Sequence, residues 1–273
     1  MLRQAGPVPT DDLLRIARSV AEEAGELAAA LRREGVEVAA TKSSPIDIVT
    51  RADRATEDLI RGRLAELRPD DGFLGEESGA ETGGSGLTWV VDPIDGTVNY
   101  LYELPNWSVS IAVVEGEPDP STWRALAGAV AAPALGDLYT ASAGGGARLG
   151  DRELQVRPPA PLDRALVATG FHYTQEIRGN QARVAQPLLA RVRDLRRAGG
   201  AALDLAYVAA GRIDAYFEQG LNPWDQAAGA LLVQEAGGVV TGLEQDRPSN
   251  RMVLAGPERT VADLRAVLVD LGA

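Results

Sequence analysis

The sequence has no cysteine, and its 273 residues include one histidine, His172, and one lysine, Lys42. Without cysteine there is no disulfide, no thiolate nucleophile and no Cys-ligated zinc. A single histidine cannot supply a His-based zinc site or a catalytic scheme built on several imidazoles. Long apolar runs are missing too. No uninterrupted stretch reaches the ~18 residues that read as a transmembrane helix, so no membrane span is expected. Residues Met1 to Thr10 lack the basic start and apolar core of a secretory signal, and the expected location is the cytoplasm. Positive charge is also in deficit: 39 acidic side chains face 27 basic ones, a formal net charge of −12. Such a surface repels nucleic-acid phosphates, so nucleic acid is not an expected partner. It would repel a phosphate ester as well, unless bound cations invert the local field. What the chain has in quantity is carboxylate, whose hard oxygens suit Mg²⁺ or Ca²⁺.

Apolar periodicity predicts a long first helix capped by Thr10, with Leu13, Ile16, Ala17, Val20, Ala24, Leu27 and Leu31 on its broad apolar face. A second helix starts near Asp53, with Leu59, Ile60, Leu64 and Leu67 as its stripe. Strands follow at 89–91, 108–114, 125–131 and 137–141, separated by Gly, Pro and Asp turns. From about Ala165 the elements alternate. Strands at 165–168, before Gly199, at 213–217, 238–241 and 252–255 are interleaved with helices at 178–193, 201–211, 225–236 and from 258. The first half therefore reads as α+β and the second as α/β with some parallel strands. The boundary is placed at the Pro-rich stretch Arg157 to Pro161, giving an N-terminal unit over 1–157 and a C-terminal unit over 158–273.

Four segments carry candidate chemistry. Trp89-Val-Val-Asp92-Pro-Ile-Asp95-Gly-Thr97 runs an apolar strand into two carboxylates, then into a Gly-Thr that offers backbone N–H groups to an anion. Asp, Pro and Gly are also ordinary turn residues, so the segment alone fits a plain strand-to-helix turn. Gly75-Glu76-Glu77-Ser78 follows Phe73-Leu74, and a pair of glutamates there fits a solvated loop equally well. Asn222-Pro-Trp-Asp225 opens a helix, where an aspartate is a routine cap. Ile48-Val-Thr-Arg-Ala-Asp53 ends in another capping aspartate, preceded by the polar loop Thr41-Lys42-Ser-Ser-Pro45. Gly83-Gly84-Ser85-Gly86 lacks the Gly-Lys-Ser/Thr ending of a P-loop and reads as a flexible loop. His172, after Gly170-Phe171, reads as a structural or surface side chain.

Taken together and in order, these segments resemble the inositol monophosphatase family of lithium-sensitive phosphatases. The resemblance rests on Lys42-Ser-Ser-Pro with Asp47-Ile-Val-Thr-Arg-Ala-Asp53, Gly-Glu-Glu-Ser at 75–78, the 89–97 segment, and Pro223-Trp-Asp-Gln through Gly238. Arg196-Arg-Ala-Gly-Gly-Ala-Ala-Leu-Asp-Leu205 and Gly211-Arg-Ile-Asp-Ala-Tyr-Phe-Glu218 extend it. The resemblance implies a layered α/β/α/β/α sandwich, a homodimer, and two to three Mg²⁺ ions. Their ligands would be Glu76, Asp92, the Ile94 carbonyl, Asp95 and Asp225. Glu76 and Thr97 would position the attacking water, with Asp53 orienting the Thr97 hydroxyl. Phosphate would meet the N–H groups of Gly96 and Thr97. The alcohol side would meet Asp95, the Gly199-Gly200-Ala201 backbone, Glu218 and Asp225. Gly200 departs from the family, which usually carries Ser or Thr there. The implied activity is hydrolysis of a small phosphate monoester, inositol 1-phosphate first. Histidinol phosphate, fructose 1,6-bisphosphate and 3′-phosphoadenosine 5′-phosphate are alternatives within the same chemistry. An alternative of another class is a non-catalytic partner of transcription or ribosome-assembly machinery.

Overall fold

The computed structural model describes residues 9–36, 38–41 and 48–273; Lys42 to Asp47, singled out in the sequence, lie outside the described residues. Helix α1 (Thr10–Glu34) leads through strands β1 (Val38–Thr41) and β2 (Ile48–Thr50) to α2 (Arg51–Leu67). Then come β3 (Gly72–Gly75), β4 (Gly79–Glu81), β5 (Leu87–Asp95), the short α3 (Thr97–Leu101), β6 (Ser108–Glu115), β7 (Arg124–Ala132), β8 (Asp137–Ser142), β9 (Gly146–Leu149) and β10 (Arg152–Glu153). The second half holds β11 (Leu166–Thr169), α4 (Gln175–Leu188), β12 (Asp194–Arg196), α5 (Ala201–Ala209), β13 (Ala215–Glu218), α6 (Pro223–Glu235), β14 (Val239–Thr241), β15 (Val253–Gly256) and α7 (Glu258–Asp270).

Strands β3 to β10 form an eight-stranded sheet in the order β10-β9-β8-β7-β6-β5-β3-β4, and the later strands form a five-stranded sheet in the order β12-β11-β13-β15-β14. β11 pairs in parallel with both β12 and β13, while β15 runs antiparallel to β13 and β14. This is the mixed sheet that alternating strands and helices imply.

Both faces of the large sheet are apolar, and the pleat divides them. Val109, Ile111 and Val113 of β6 pack under α1 and α2, against Leu13, Val20, Ile60 and Leu64. Their neighbours Ala112 and Val114 point the other way, to Leu203, Leu205, Leu231 and Leu232 of α5 and α6. That second cluster also takes Tyr216, Val253 and Ala255 from the small sheet, so α5 and α6 lie between the two sheets. Val184, Leu188, Val261, Leu264 and Leu268 of α4 and α7 cover the outer face of the small sheet. The result is five layers, α/β/α/β/α, as the sequence resemblance implied.

Several local expectations need correcting. Asp53 and Asp225 do not cap their helices. The caps are Thr50 and Asn222, and each aspartate sits three residues on, closing a reciprocal capping box with its carboxylate on the cap's backbone N–H. Thr10 is the first helical residue, and Pro9 precedes it with no side-chain cap. Gly83 to Gly86 is not a loose loop, because the N–H groups of Gly84 and Ser85 both donate to the Asp70 carbonyl at 2.7 and 2.9 Å. Strands β1 to β4, β9 and β10 had no predicted counterpart.

Candidate active site

Register in β5 explains how Asp92 and Asp95 come to face one space. Residues three apart on a regular strand point to opposite faces. Here Asp92 lies opposite Ser110 and Asp95 opposite Ser108, so three steps on β5 match two on β6. The extra residue is a bulge, and Pro93, which cannot donate to the ladder, sits inside it. The bulge restores parity and puts both carboxylates on the side of α5 and α6. Gly96 then takes a left-handed conformation (φ 90°) and α3 begins at Thr97.

Asp92 is 2% exposed and accepts the Ile94 N–H at 3.0 Å. Asp95 is held at the start of α5, accepting from Ala201 N at 3.1 Å and Ala202 N at 2.9 Å, with the Ser108 hydroxyl at 3.5 Å. A Cβ on Gly200 would stand 2.9 Å from Asp95 Oδ2, so the absence of a side chain there lets the carboxylate settle against α5. Asp225 is half-buried, and one of its oxygens accepts from Asn222 N at 2.6 Å. Glu76 is half-buried in the turn between β3 and β4, and its own N–H donates to the Val91 carbonyl at 3.2 Å.

Thr97 links two of the predicted parts. Its hydroxyl lies 3.1 Å from the Ile94 carbonyl and 3.3 Å from Asp53 Oδ1, with both oxygens as acceptors. Asp53 Oδ2 accepts from both the backbone N–H and the hydroxyl of Thr50. Glu218 accepts from the Tyr216 hydroxyl at 2.6 Å.

A cavity of roughly 350 Å³ brings together Glu76, Asp92, Ile94, Asp95, Gly96, Thr97, Glu218 and Asp225. Asp53, Gly199, Gly200 and Ala201 do not line it. Asp53 stands behind Thr97, and the Ala201 N–H predicted for substrate is taken by Asp95. Gly199 sits in the turn before α5, next to an Ala198 carbonyl that accepts from Asn99 Nδ2 at 2.8 Å. His172, read from the sequence as structural, belongs to the cavity wall along with Phe171 and Tyr173. Its Nδ1 accepts from Thr174 N at 2.9 Å, which leaves the proton of a neutral ring on Nε2. Nothing local in Gly170-Phe-His-Tyr marks it; the small sheet carries it there at the end of β11.

The electrostatics are those of crowded acids. Burial first, and then the charges of Glu76, Asp95 and Asp225, push the Asp92 carboxyl well above the usual range. Asp225 is raised in the same sense, by burial and then by Glu76 and Asp95. Asp95 is pushed up to about 6 by burial, against the lowering hydrogen bonds from Ala201 and Ala202. Burial also raises Asp53 to about 6 and Glu218 to about 7. Among the described residues no ion pair from Arg, Lys or His reaches Asp92, Asp95 or Asp225. The carboxylates are not drawn into a closed cage: no three acidic or imidazole groups among the described residues converge tightly enough to chelate an ion as they stand. They share one cavity wall as hard oxygen donors, and that donor set fits Mg²⁺.

Solved structures share this layered architecture. An IMPase of Thermotoga maritima superposes with a TM-score of 0.85 at 30% identity, covering 95% of this chain and 98% of that one. The fold and its acidic cavity thus define a phosphatase-type layered sandwich. The family model described as the inositol monophosphatase family matches residues 10–270, and the chain belongs to that family. Its relatives include the inositol-1-monophosphatase SuhB of Mycobacterium tuberculosis, 45% identical over 242 residues and 81% of each chain. The Nus factor SuhB of Xylella fastidiosa is 39% identical over 241 residues and 85% of each chain. Membership makes the chain a phosphatase acting on a small phosphorylated substrate, in a family that is in general metal-dependent. No helix among the described residues is long and apolar enough to cross a membrane.

Proposed function

We propose that the chain hydrolyses inositol 1-phosphate to inositol and phosphate, using two to three Mg²⁺ ions held by Glu76, Asp92, the Ile94 carbonyl, Asp95 and Asp225. The observation that carries this is the bulge in β5, which turns Asp92 and Asp95 into the cavity that Glu76 and Asp225 also line. Four carboxylates lining one cavity make it an acidic site that favours cations, and bound cations would in turn favour a phosphate there. When bound, Mg²⁺ would neutralise the phosphate oxygens and make the attacking water easier to deprotonate.

The remaining work falls to the chain itself. Thr97, its proton committed towards Asp53 and the Ile94 carbonyl, offers a lone pair to a water. Glu76, on the same cavity wall, accepts that water's proton. The N–H groups of Gly96 and Thr97 hold phosphate oxygens. Glu218 has one oxygen on the Tyr216 hydroxyl and uses the other to receive polyol hydroxyls, with Asp225 beside it. Ala201 joins the substrate only if Asp95 turns away from the start of α5 to bind a cation. The proposal includes inhibition by Li⁺, a homodimer and a cytoplasmic location, as the family resemblance implies.

The Xylella relative's name, Nus factor, favours a second reading in which the chain is a non-catalytic partner of transcription or ribosome-assembly machinery. The experiment is a phosphate-release panel over inositol 1-phosphate, histidinol phosphate, fructose 1,6-bisphosphate and 3′-phosphoadenosine 5′-phosphate, with Mg²⁺ and then with EDTA. Mg²⁺-dependent release that is fastest on inositol 1-phosphate supports the first reading. Release unaffected by EDTA contradicts the metal assignment, and no release on any substrate favours the second reading.

A further inference from the structure

We propose that Glu57 is a positioning residue that fixes the Glu76 turn, and that divalent-cation affinity depends on it. The inference rests on the reading of Glu76 as a metal ligand. Glu57 is 2% exposed, yet among the described residues it has no ion-pair partner. What it has is the turn that carries Glu76. Oε2 accepts from the Glu77 N–H at 2.9 Å and Oε1 from the Ser78 N–H at 2.7 Å. Both oxygens are thus engaged by consecutive backbone donors immediately after Glu76.

The neighbouring residues are shaped to this contact. Gly75, at the end of β3, lies flat against the carboxylate: a Cβ there would stand 2.5 Å from Glu57 Oε2. On the other side, the Glu76 N–H is fixed to the Val91 carbonyl of β5 at 3.2 Å. Glu76 is therefore clamped from both ends, by β5 before it and by Glu57 after it. Glu57 also stands four residues from Asp53 on α2, and positions four apart share a helix face. One face of α2 thus bears two buried carboxylates, one bonded to Thr97 and the other to the Glu76 turn. A buried carboxylate needs hydrogen bonds to remain there. These N–H donors meet that need, and the same bonds set where the Glu76 side chain starts.

A purely structural Glu57 would change stability and leave cation binding alone, so the test reads both. Mg²⁺ is titrated calorimetrically into wild type, Glu57→Gln, Glu57→Asp and Glu76→Gln, and thermal unfolding is followed in EDTA. Glu57→Gln keeps the size and one acceptor but presents an NH₂ to a backbone donor. Its Mg²⁺ dissociation constant is expected to rise about 10-fold, within the range for residues that orient metal ligands. The Mg²⁺ concentration for half-maximal phosphate release should rise in parallel, with kcat at saturating Mg²⁺ within about threefold of wild type. Glu57→Asp keeps the charge with a shorter reach and should fall between the two; it carries the test if Glu57→Gln does not fold. Wild-type Mg²⁺ affinity in Glu57→Gln, or in the Asp variant where that one stands in, overturns the inference whatever the unfolding midpoint does. Weakened binding in Glu76→Gln alongside such a result confines the failure to Glu57. A wild-type protein that takes up no Mg²⁺ overturns the metal reading, and the role of Glu57 with it.

Discussion

Asp53 and Asp225 occupy the same local position, the third residue of a helix whose cap gives its backbone N–H to the carboxylate, and they end in different surroundings. Asp53 is 1% exposed and accepts from the Thr50 N–H, the Thr50 hydroxyl and the Thr97 hydroxyl. Asp225 is half-buried, is held by one backbone N–H, and opens on the cavity beside Glu76 and Asp95. Capping chemistry anchors both, at about 1 kcal/mol for such a cap. What lies beyond the helix decides the rest. At α2 it is a threonine hydroxyl, which makes Asp53 a strut. At α6 it is a set of other carboxylates, which suits Asp225 to a cation.

The largest effect should come from Asp225→Asn. The amide oxygen can still accept from Asn222 N, so the cap survives while the charge is lost. Mg²⁺-dependent phosphate release should fall at least ~100-fold, about 2.7 kcal/mol of barrier. The unfolding midpoint without metal should hold or rise, because a like charge has left the cavity. Activity within tenfold of wild type would end the ligand assignment and make Asp225 a second strut.

Asp53→Asn should lower activity less, by ~10-fold, and, measured near pH 4 where Asp53 carries no buried charge to be relieved, should also lower stability by about 1 kcal/mol as the box with Thr50 weakens. Thr50→Ala separates the two effects. It should reproduce the stability loss with little change in turnover, since Thr97 keeps its Asp53 partner. Equal loss of turnover in both variants would mean that the cap, and not the Asp53–Thr97 bond, is what the site needs.

The smallest effect is a pH slope in the metal-stripped protein. Asp53 is raised from 3.8 to about 6 and Glu218 from 4.5 to about 7. A raised carboxyl binds its proton more tightly folded than unfolded. The stability it contributes is therefore complete below the unfolded value and is lost as pH climbs through the folded one. Unfolding midpoints should decline from about pH 4 to about pH 7, with Asp53→Asn flattening the lower part and Glu218→Gln the upper. A midpoint that rises over this window would contradict the burial of these groups as acids.

Much of this was legible in the residues. The helices at both ends, the strands around 89–91, 108–114 and 125–131, and the alternation after Ala165 follow from periodicity, because those segments bury wide apolar faces. The five layers came through the resemblance, since periodicity alone does not say which faces meet. The parity of Asp92 and Asp95 was not legible: a bulge is a property of two strands in register, and β6 has to be seen beside β5. Glu57 was missed for the same reason. In sequence it is one more acid on a helix, and its partners lie 20 and 21 residues away. His172 reaches the cavity only through the placement of β11.

The most direct test of the central claim, that the acidic cavity is a divalent-cation site, is a calorimetric Mg²⁺ titration near pH 6 in two buffers of different ionisation enthalpy. Asp92, Asp95 and Asp225 hold protons more tightly than ordinary carboxylates, and a ligand must give its proton up to bind a metal. The account predicts Mg²⁺ uptake accompanied by proton release, seen as a buffer-dependent heat that shrinks as pH rises, and affinity weakened at least ~10-fold in Asp92→Asn. Mg²⁺ uptake with no proton release and no sensitivity to Asp92→Asn would contradict it.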